Sequence, residues 1–401
     1  MDGPIPHNVK KRLVFYIPGF DPMPPNRYRE GYKDEGQKQA AISGYEIDVE
    51  RISSLGNTPR FQVKSKIDGA KTTSEFRFLT WNDLVHETMN VPIWKSWLAM
   101  FKIGRVIAGS GALRRLIKLH FPANITGLYP FFLIPLQIFV GLLLGLLIAA
   151  FIPIPFLKWP IALATMLAVA VWWRKNDGKL LPYYVVHDLD YFTQSGGYTP
   201  PSLRNRFEEL KAQIVEAVKT EYDEILLVGH SSGAHMGVII LAELIREGKI
   251  SRDNNVALLT LGQAIPMVSY LPKAHDLRLA LHEMGTQDVV DWVDFTAPSD
   301  GVCFALRDPV SCSVDAPIGQ KYPRILSAAF SKTLSPEYTK RLGHRYFRIH
   351  FQYLCHFDRP GIYDYFEITS GPSTLWSRYG RMTDSPSTVR TNLNKFKDMK
   401  A

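Results

Sequence analysis

Between Pro122 and Leu157 the chain carries no charged residue, and no other stretch restricts its folding so severely. Such a segment belongs in a protein core or in a bilayer. In lipid every backbone N–H and C=O must be satisfied within the segment, which makes it helical. Phe131 to Ile152 is a run of about 22 mostly apolar residues, long enough to cross the hydrocarbon layer. Pro160 to Trp173 is a second run of about 14, marginal as a span by itself. Between them, Pro153-Ile154-Pro155-Phe156-Leu157-Lys158-Trp159 reads as a tight turn, so the pair is expected to form a helical hairpin. Tyr129, Trp159, Trp172 and Trp173 stand near its ends, where amphipathic rings favour the interface. A buried core helix is the competing reading for either run, and the second could also be re-entrant.

The flanking charges set an orientation. Lys102, Arg105, Arg114, Arg115 and Lys118 precede the hairpin, Arg174, Lys175 and Lys179 follow it, and the turn has only Lys158. The positive-inside rule then puts both outer ends on the cytoplasmic side. Just upstream, Ile93 to Ile103 reads as a basic amphipathic helix able to lie among anionic headgroups, with an ordinary surface helix as the alternative. Part of the net charge of +9 gathers here, so the expected partner is a lipid bilayer. No basic face with stacking aromatics in a known module points to nucleic acid. Three cysteines, an odd and low number, argue against a disulfide framework. The polar, proline-containing start does not read as a secretory signal.

The remainder alternates between strand and helix patterns. Strands are expected at Lys11–Ile17, Glu46–Ile52, Arg60–Lys66, Glu75–Thr80, Ile225–Val228, Asn255–Leu261, Val289–Phe295 and Tyr346–Leu354. Helices are expected at Asn26–Ala41, Leu203–Thr220, Ala234–Glu247 and Ala274–Glu283. This alternation implies an α/β fold with a mainly parallel, doubly wound sheet. The segments divide into residues 1–91, the first part of the α/β domain; 92–180, the basic helix and membrane hairpin; 181–372, the second part; and 373–401, a basic, Ser/Thr-rich tail expected to be loosely ordered.

The chemistry centres on Gly229-His230-Ser231-Ser232-Gly233, between the Ile225–Val228 strand and a helix. Strand, Gly-x-Ser-x-Gly, helix is a nucleophile elbow: the serine stands on a sharp turn above the free N–H groups of a helix start. A serine hydroxyl needs a histidine base, and the histidine needs a carboxylate to orient it. In elbow proteins with open sheets the acid follows the serine in the chain and the histidine comes last. Asp300 suits the acid, in the Pro298-Ser299-Asp300-Gly301 turn after a strand. Asp294 lies inside that strand, and Asp288 and Asp291 lie at its wrong end. His344, His350 and His356 follow; His350 is favoured as base, with His356 the main alternative. The oxyanion hole needs two backbone donors. One is expected at Ser232 and the other at Phe20, or at Gly19 if the turn is tight, since Pro18 has no N–H. His230 and His235 are badly spaced for a shared metal, no Cys-x-x-Cys occurs, and no Gly-rich phosphate loop is present, so neither metal nor cofactor is expected.

With these residues in view, the chain resembles α/β-hydrolase fold serine hydrolases of the esterase and lipase type, and is similar to membrane-associated bacterial members with an inserted transmembrane hairpin. Tyr16-Ile17-Pro18-Gly19-Phe20, Val228 to Ala234, and Leu259-Thr260-Leu261-Gly262-Gln263 carry the resemblance, which covers about residues 11 to 83 and 184 to 370. It implies a serine nucleophile and no metal. The apolar hairpin alone points to a lipophilic ester or thioester as substrate, and the flanking charges put the catalytic domain on the cytoplasmic side of what is expected to be a bacterial inner membrane. An acyltransferase with the same triad and a catalytically silent membrane scaffold are the alternatives. The hairpin precedes the elbow, whereas the usual lid insert follows it.

Overall fold

The computed structural model describes residues 8–55, 58–343 and 345–400. Among these residues eight strands form one sheet: β1 Lys11–Ile17, β2 Glu46–Arg51, β3 Arg60–Ile67, β4 Ala70–Phe78, β5 Glu224–His230, β6 Val256–Leu261, β7 Asp291–Thr296 and β8 Arg324–Ser327. Their order is β2-β3-β4-β1-β5-β6-β7-β8. β2, β3 and β4 form an antiparallel meander, and β4, β1, β5, β6, β7 and β8 run parallel. The parallel strands have both faces covered, which is why β1, β5 and β6 read as nearly continuous apolar runs, while β7 buries Asp291 and Asp294 among its apolar residues.

Leu13, Phe15 and Ile17 of β1 point into one core with Met236, Ile240 and Leu241, while Val14 and Tyr16 point into the opposite core with Phe61, Phe76 and Tyr365. Their crossovers bring the carboxyl ends of β1, β5, β6 and β7 to one rim of the sheet, where ligands of open α/β sheets bind.

Helices α1 to α9 are Pro25–Ser43, Asn82–Met89, Ile93–Gly109, Ala112–Leu119, Phe121–Ala150, Lys158–Lys175, Pro182–Thr193, Pro201–Ala217 and Ser232–Arg246. α5 and α6 are the two described helices long and apolar enough to cross a membrane. They pack along Gly141 and Gly145, a Gly-x-x-x-Gly spacing that lets backbones approach closely. A Cβ on Gly145 would lie 2.5 Å from the carbonyl oxygen of Ala162. Their outward faces are bare: Phe132 and Phe139 of α5 and Trp159 and Trp172 of α6 are all strongly exposed. A third cluster joins Ile103, Leu116, Ala123 and Ile134 of α3 to α5 with Val186 and Leu189 of α7, so the insert is built onto the domain.

Two expectations fail. Tyr346–Leu354 is not a strand: Tyr346–His350 is α-helical and Phe351–Leu354 is a 3-10 turn. The alternation of Phe347, Ile349, Phe351 and Tyr353 mimicked a strand, but the last sheet position belongs to the short β8. Its outer edge is already taken, because Ser385 donates its N–H to Ile325 O at 2.9 Å and its hydroxyl accepts from Ser327 N at 3.0 Å. The same contacts show that the tail is not loose. The Asn394 side chain is buried and donates to the carbonyls of Ser269 and Ser313 at 2.9 and 2.8 Å.

Candidate active site

The elbow is built by close approach. A Cβ on Gly229 would lie 2.6 Å from Gly233 O, and one on Gly233 would lie 2.2 Å from Ile17 O, so both positions exclude any side chain. Ser231 between them takes φ 56° and ψ −123°, a conformation that L-residues with a Cβ avoid. Its N–H donates to Leu261 O at 2.9 Å, tying the turn to the end of β6. α9 begins at the next residue, Ser232, and leaves its first N–H groups free of helical partners.

Asp300 follows β7 in a turn closed by its N–H on Ala297 O at 2.9 Å, and it is fully buried. Its Oδ2 lies 2.7 Å from Nδ1 of His350 and accepts the Tyr353 hydroxyl at 3.1 Å; its Oδ1 accepts from Val302 N at 3.0 Å. Burial alone would raise the pKa of this carboxyl. The His350 ring and the hydrogen bonds from His350 and Val302 outweigh it and hold the group below the usual carboxylate range. His350 Nε2 is buried and has no hydrogen-bond partner among the described residues. Gly262 stands at φ 54° between the pieces: a Cβ there would lie 3.1 Å from His350 Cε1 and 3.3 Å from Asp300 Oδ2. The elbow and the Asp–His pair are thus joined through adjacent residues, Leu261 and Gly262.

The rival residues are engaged elsewhere. Asp294 is buried within β7 and accepts the Thr260 hydroxyl at 2.6 Å, while Asp291 pairs with Arg252 at 2.8 Å and Asp288 with Lys321. His356 pairs with Glu35 of α1. His344 lies outside the described residues.

The oxyanion candidates lie together. Phe20 N–H reaches the Ser232 hydroxyl at 3.3 Å. The loop is steadied by Tyr184, whose hydroxyl donates to Phe20 O, and two residues earlier by Trp81, whose indole N–H donates to Pro18 O at 3.0 Å. A Cβ on Gly19 would lie 2.9 Å from Ser231 Cβ, so the first loop closes directly over the serine.

Three groups at the site carry no sequence signal. Tyr353 also accepts Ala297 N at 2.8 Å and so braces both ends of the acid turn. It would have stood out as a helical i+3 neighbour of His350, had that segment not looked like a strand. Asp188 of α7 feels the charge of His350; burial raises its carboxyl to about 7 and His350 opposes the rise. The His230 ring lies 4.7 Å from that of His350, centroid to centroid, and its Nε2–H donates to His350 O at 3.0 Å. Burial, followed by the charge of His350, lowers it to about 3, so it stays neutral.

A rim of sheet carrying an elbow serine, a paired Asp–His and two backbone donors can perform acyl transfer through a covalent intermediate. Residues 184–295 match the class 3 lipase family. The match spans α7 to β7 with the elbow at its centre, and supports a lipase-like α/β-hydrolase that cleaves lipid esters. It stops short of Asp300 and His350 and contains none of the apolar hairpin. No curated protein and no solved structure matches the chain.

Proposed function

We propose that this protein is a membrane-anchored serine hydrolase that cleaves an ester or thioester of a lipophilic substrate, with Ser231 as nucleophile, His350 as base and Asp300 as its orienting acid. The observation that carries this reading is the 2.7 Å contact between His350 and a buried, ionised Asp300, which leaves Nε2 of the same ring free at the rim where the elbow stands. Ser231 Oγ attacks the substrate carbonyl carbon while His350 Nε2 takes its proton. The oxyanion is held by the N–H groups of Phe20 and Ser232. His350 returns the proton to the departing oxygen or sulfur as the acyl–oxygen or acyl–sulfur bond breaks. Water, deprotonated by the same imidazole, then releases the acid from Ser231. The bare apolar faces of α5 and α6 and the basic helices beside them support anchoring, with the flanks and the catalytic domain on the cytoplasmic side.

Labelling with a fluorophosphonate tests the chemistry: wild type should be modified and Ser231→Ala should not. A folded wild type that resists the probe overturns the reading in favour of a silent scaffold. For anchoring, the full chain should stay with membranes through an alkaline carbonate wash, and its release would refute that part.

A further inference from the structure

We propose that the cavity enclosed by α3, α4 and α5 is an acyl-chain site, which admits a fatty-acyl chain laterally from the bilayer and carries its ester end to Ser231; the assignment deepens the hydrolase reading above and rests on it. The cavity measures about 260 Å³. Its walls include Ile103, Ile107, Leu116 and Phe131 from the insert, closed on the domain side by Leu189 and Met267. The single polar side chain on the wall, Asn124, already donates to His120 O at 2.7 Å. A space so lined has nothing to offer a headgroup and everything to offer a hydrocarbon chain.

Its position supplies the connection to chemistry. Leu189 and Met267 also line a small recess of about 30 Å³ beside the elbow, together with Ser232, Asp188 and Phe192. Two movable apolar side chains therefore stand between the cavity and the nucleophile's neighbour. Met267 faces bare backbone on the cavity side, where a Cβ on Gly127 would lie 3.7 Å from its Cε. The next residue toward the N-terminus, Thr126, touches the loop of Asp300. The outer end leads to lipid, because Phe132 lines the cavity and is also 75% exposed on the uncovered face of α5. Of the walls, only Leu189 and Met267 fall within the segment that matches the lipase family. The site is thus a property of this chain's insert. A second apolar cavity of about 170 Å³, lined by Tyr28, Phe351 and their neighbours, lies against α1 and is bordered by protein-domain residues alone.

The test uses the full-length Ser231→Ala protein in vesicles of phosphatidylcholine and phosphatidylglycerol, doped with a phosphatidylcholine bearing a diazirine at the end of one acyl chain. Photolysis should place adducts on Leu189, Met267 or Phe131. Filling the cavity by Gly127→Leu, or from another wall by Leu113→Phe, should cut them about tenfold, the scale expected of overpacking an apolar site. Adducts confined to outward residues such as Phe139 and Phe151, or moved to Phe351, would overturn the proposal. In the otherwise wild-type chain the same two substitutions should lower the ratio of long-alkyl to ethyl fluorophosphonate labelling about tenfold. An equal fall for both probes would count against it. Adducts on Leu189 and Met267 in a protein that takes up neither fluorophosphonate would sink the hydrolase reading and leave the lipid site standing.

Discussion

Thr126, on the first turns of the apolar helix α5, donates its hydroxyl to the carbonyl oxygen of Gly301 at 2.7 Å. Gly301 follows Asp300, so the helix proposed to enter the bilayer is fastened to the loop that carries the proposed catalytic acid. The contact is shielded, since Thr126 is buried. A displacement of α5 would thereby be felt at the loop of Asp300.

Thr126→Val keeps the shape and leaves the Gly301 carbonyl unpaired, a loss of about 1–3 kcal/mol for a buried group. The acid loop should loosen and kcat should fall about tenfold, with KM less affected. Thr126→Ser should restore most of the rate. Steady-state kinetics on a short-chain ester checks this, and a Val variant with unchanged kcat would show that the contact does not position the acid.

The proposed catalytic assignments predict an ordered set of losses. His350→Ala should lower kcat/KM by about a thousandfold or more, as for other bases of such triads, and Asp300→Asn by somewhat less. His356→Ala, whose ring pairs with Glu35, should remain within a few-fold of wild type. A collapse of activity in His356→Ala with His350→Ala spared would reverse the choice of base.

Asp188 should shape the pH profile. Burial raises its carboxyl to about 7, so it gains its negative charge, felt by His350, as pH rises through neutrality. In Asp188→Asn that ionisation is gone, and the kcat/KM profile should lose the inflection that Asp188 contributes near neutrality. Asp300, held below its ordinary range, stays ionised throughout and does not set that inflection. A variant whose profile keeps the same inflection would exclude this role for Asp188.

Asp294 predicts a stability effect with a defined sign. Burial raises it from 3.8 to about 8, against the Thr260 hydroxyl bond, and its Oδ2 has no partner among the described residues. Between those values the folded chain keeps a proton that the unfolded chain has lost, so this group lowers stability as pH rises from about 4 to about 8. Asp294→Asn can still accept from Thr260 and does not titrate. Its stability relative to wild type should therefore increase with pH, by on the order of a few kcal/mol across that window. Denaturant unfolding at both ends of the range checks the slope, and a difference independent of pH would refute it.

The sequence determined what short stretches decide by their own geometry. Gly229, Ser231 and Gly233 announce an elbow because the turn needs bare backbone on either side of the serine, and the uncharged run from Pro122 announces helices because hydrocarbon leaves the backbone no other partner. The strands β1, β5 and β6 were legible because burial on both faces writes itself as nearly continuous apolar residues. Tertiary structure decided what depends on distant partners. Whether Tyr346–Leu354 became strand or helix turned on who occupied the edge of β8. The pairing of His350 with Asp300, 50 residues away, and of Thr126 with Gly301, 175 residues away, exists only because the crossovers bring their loops to one rim. No local pattern carries such contacts, since their free energy is gained only after the chain between them has folded.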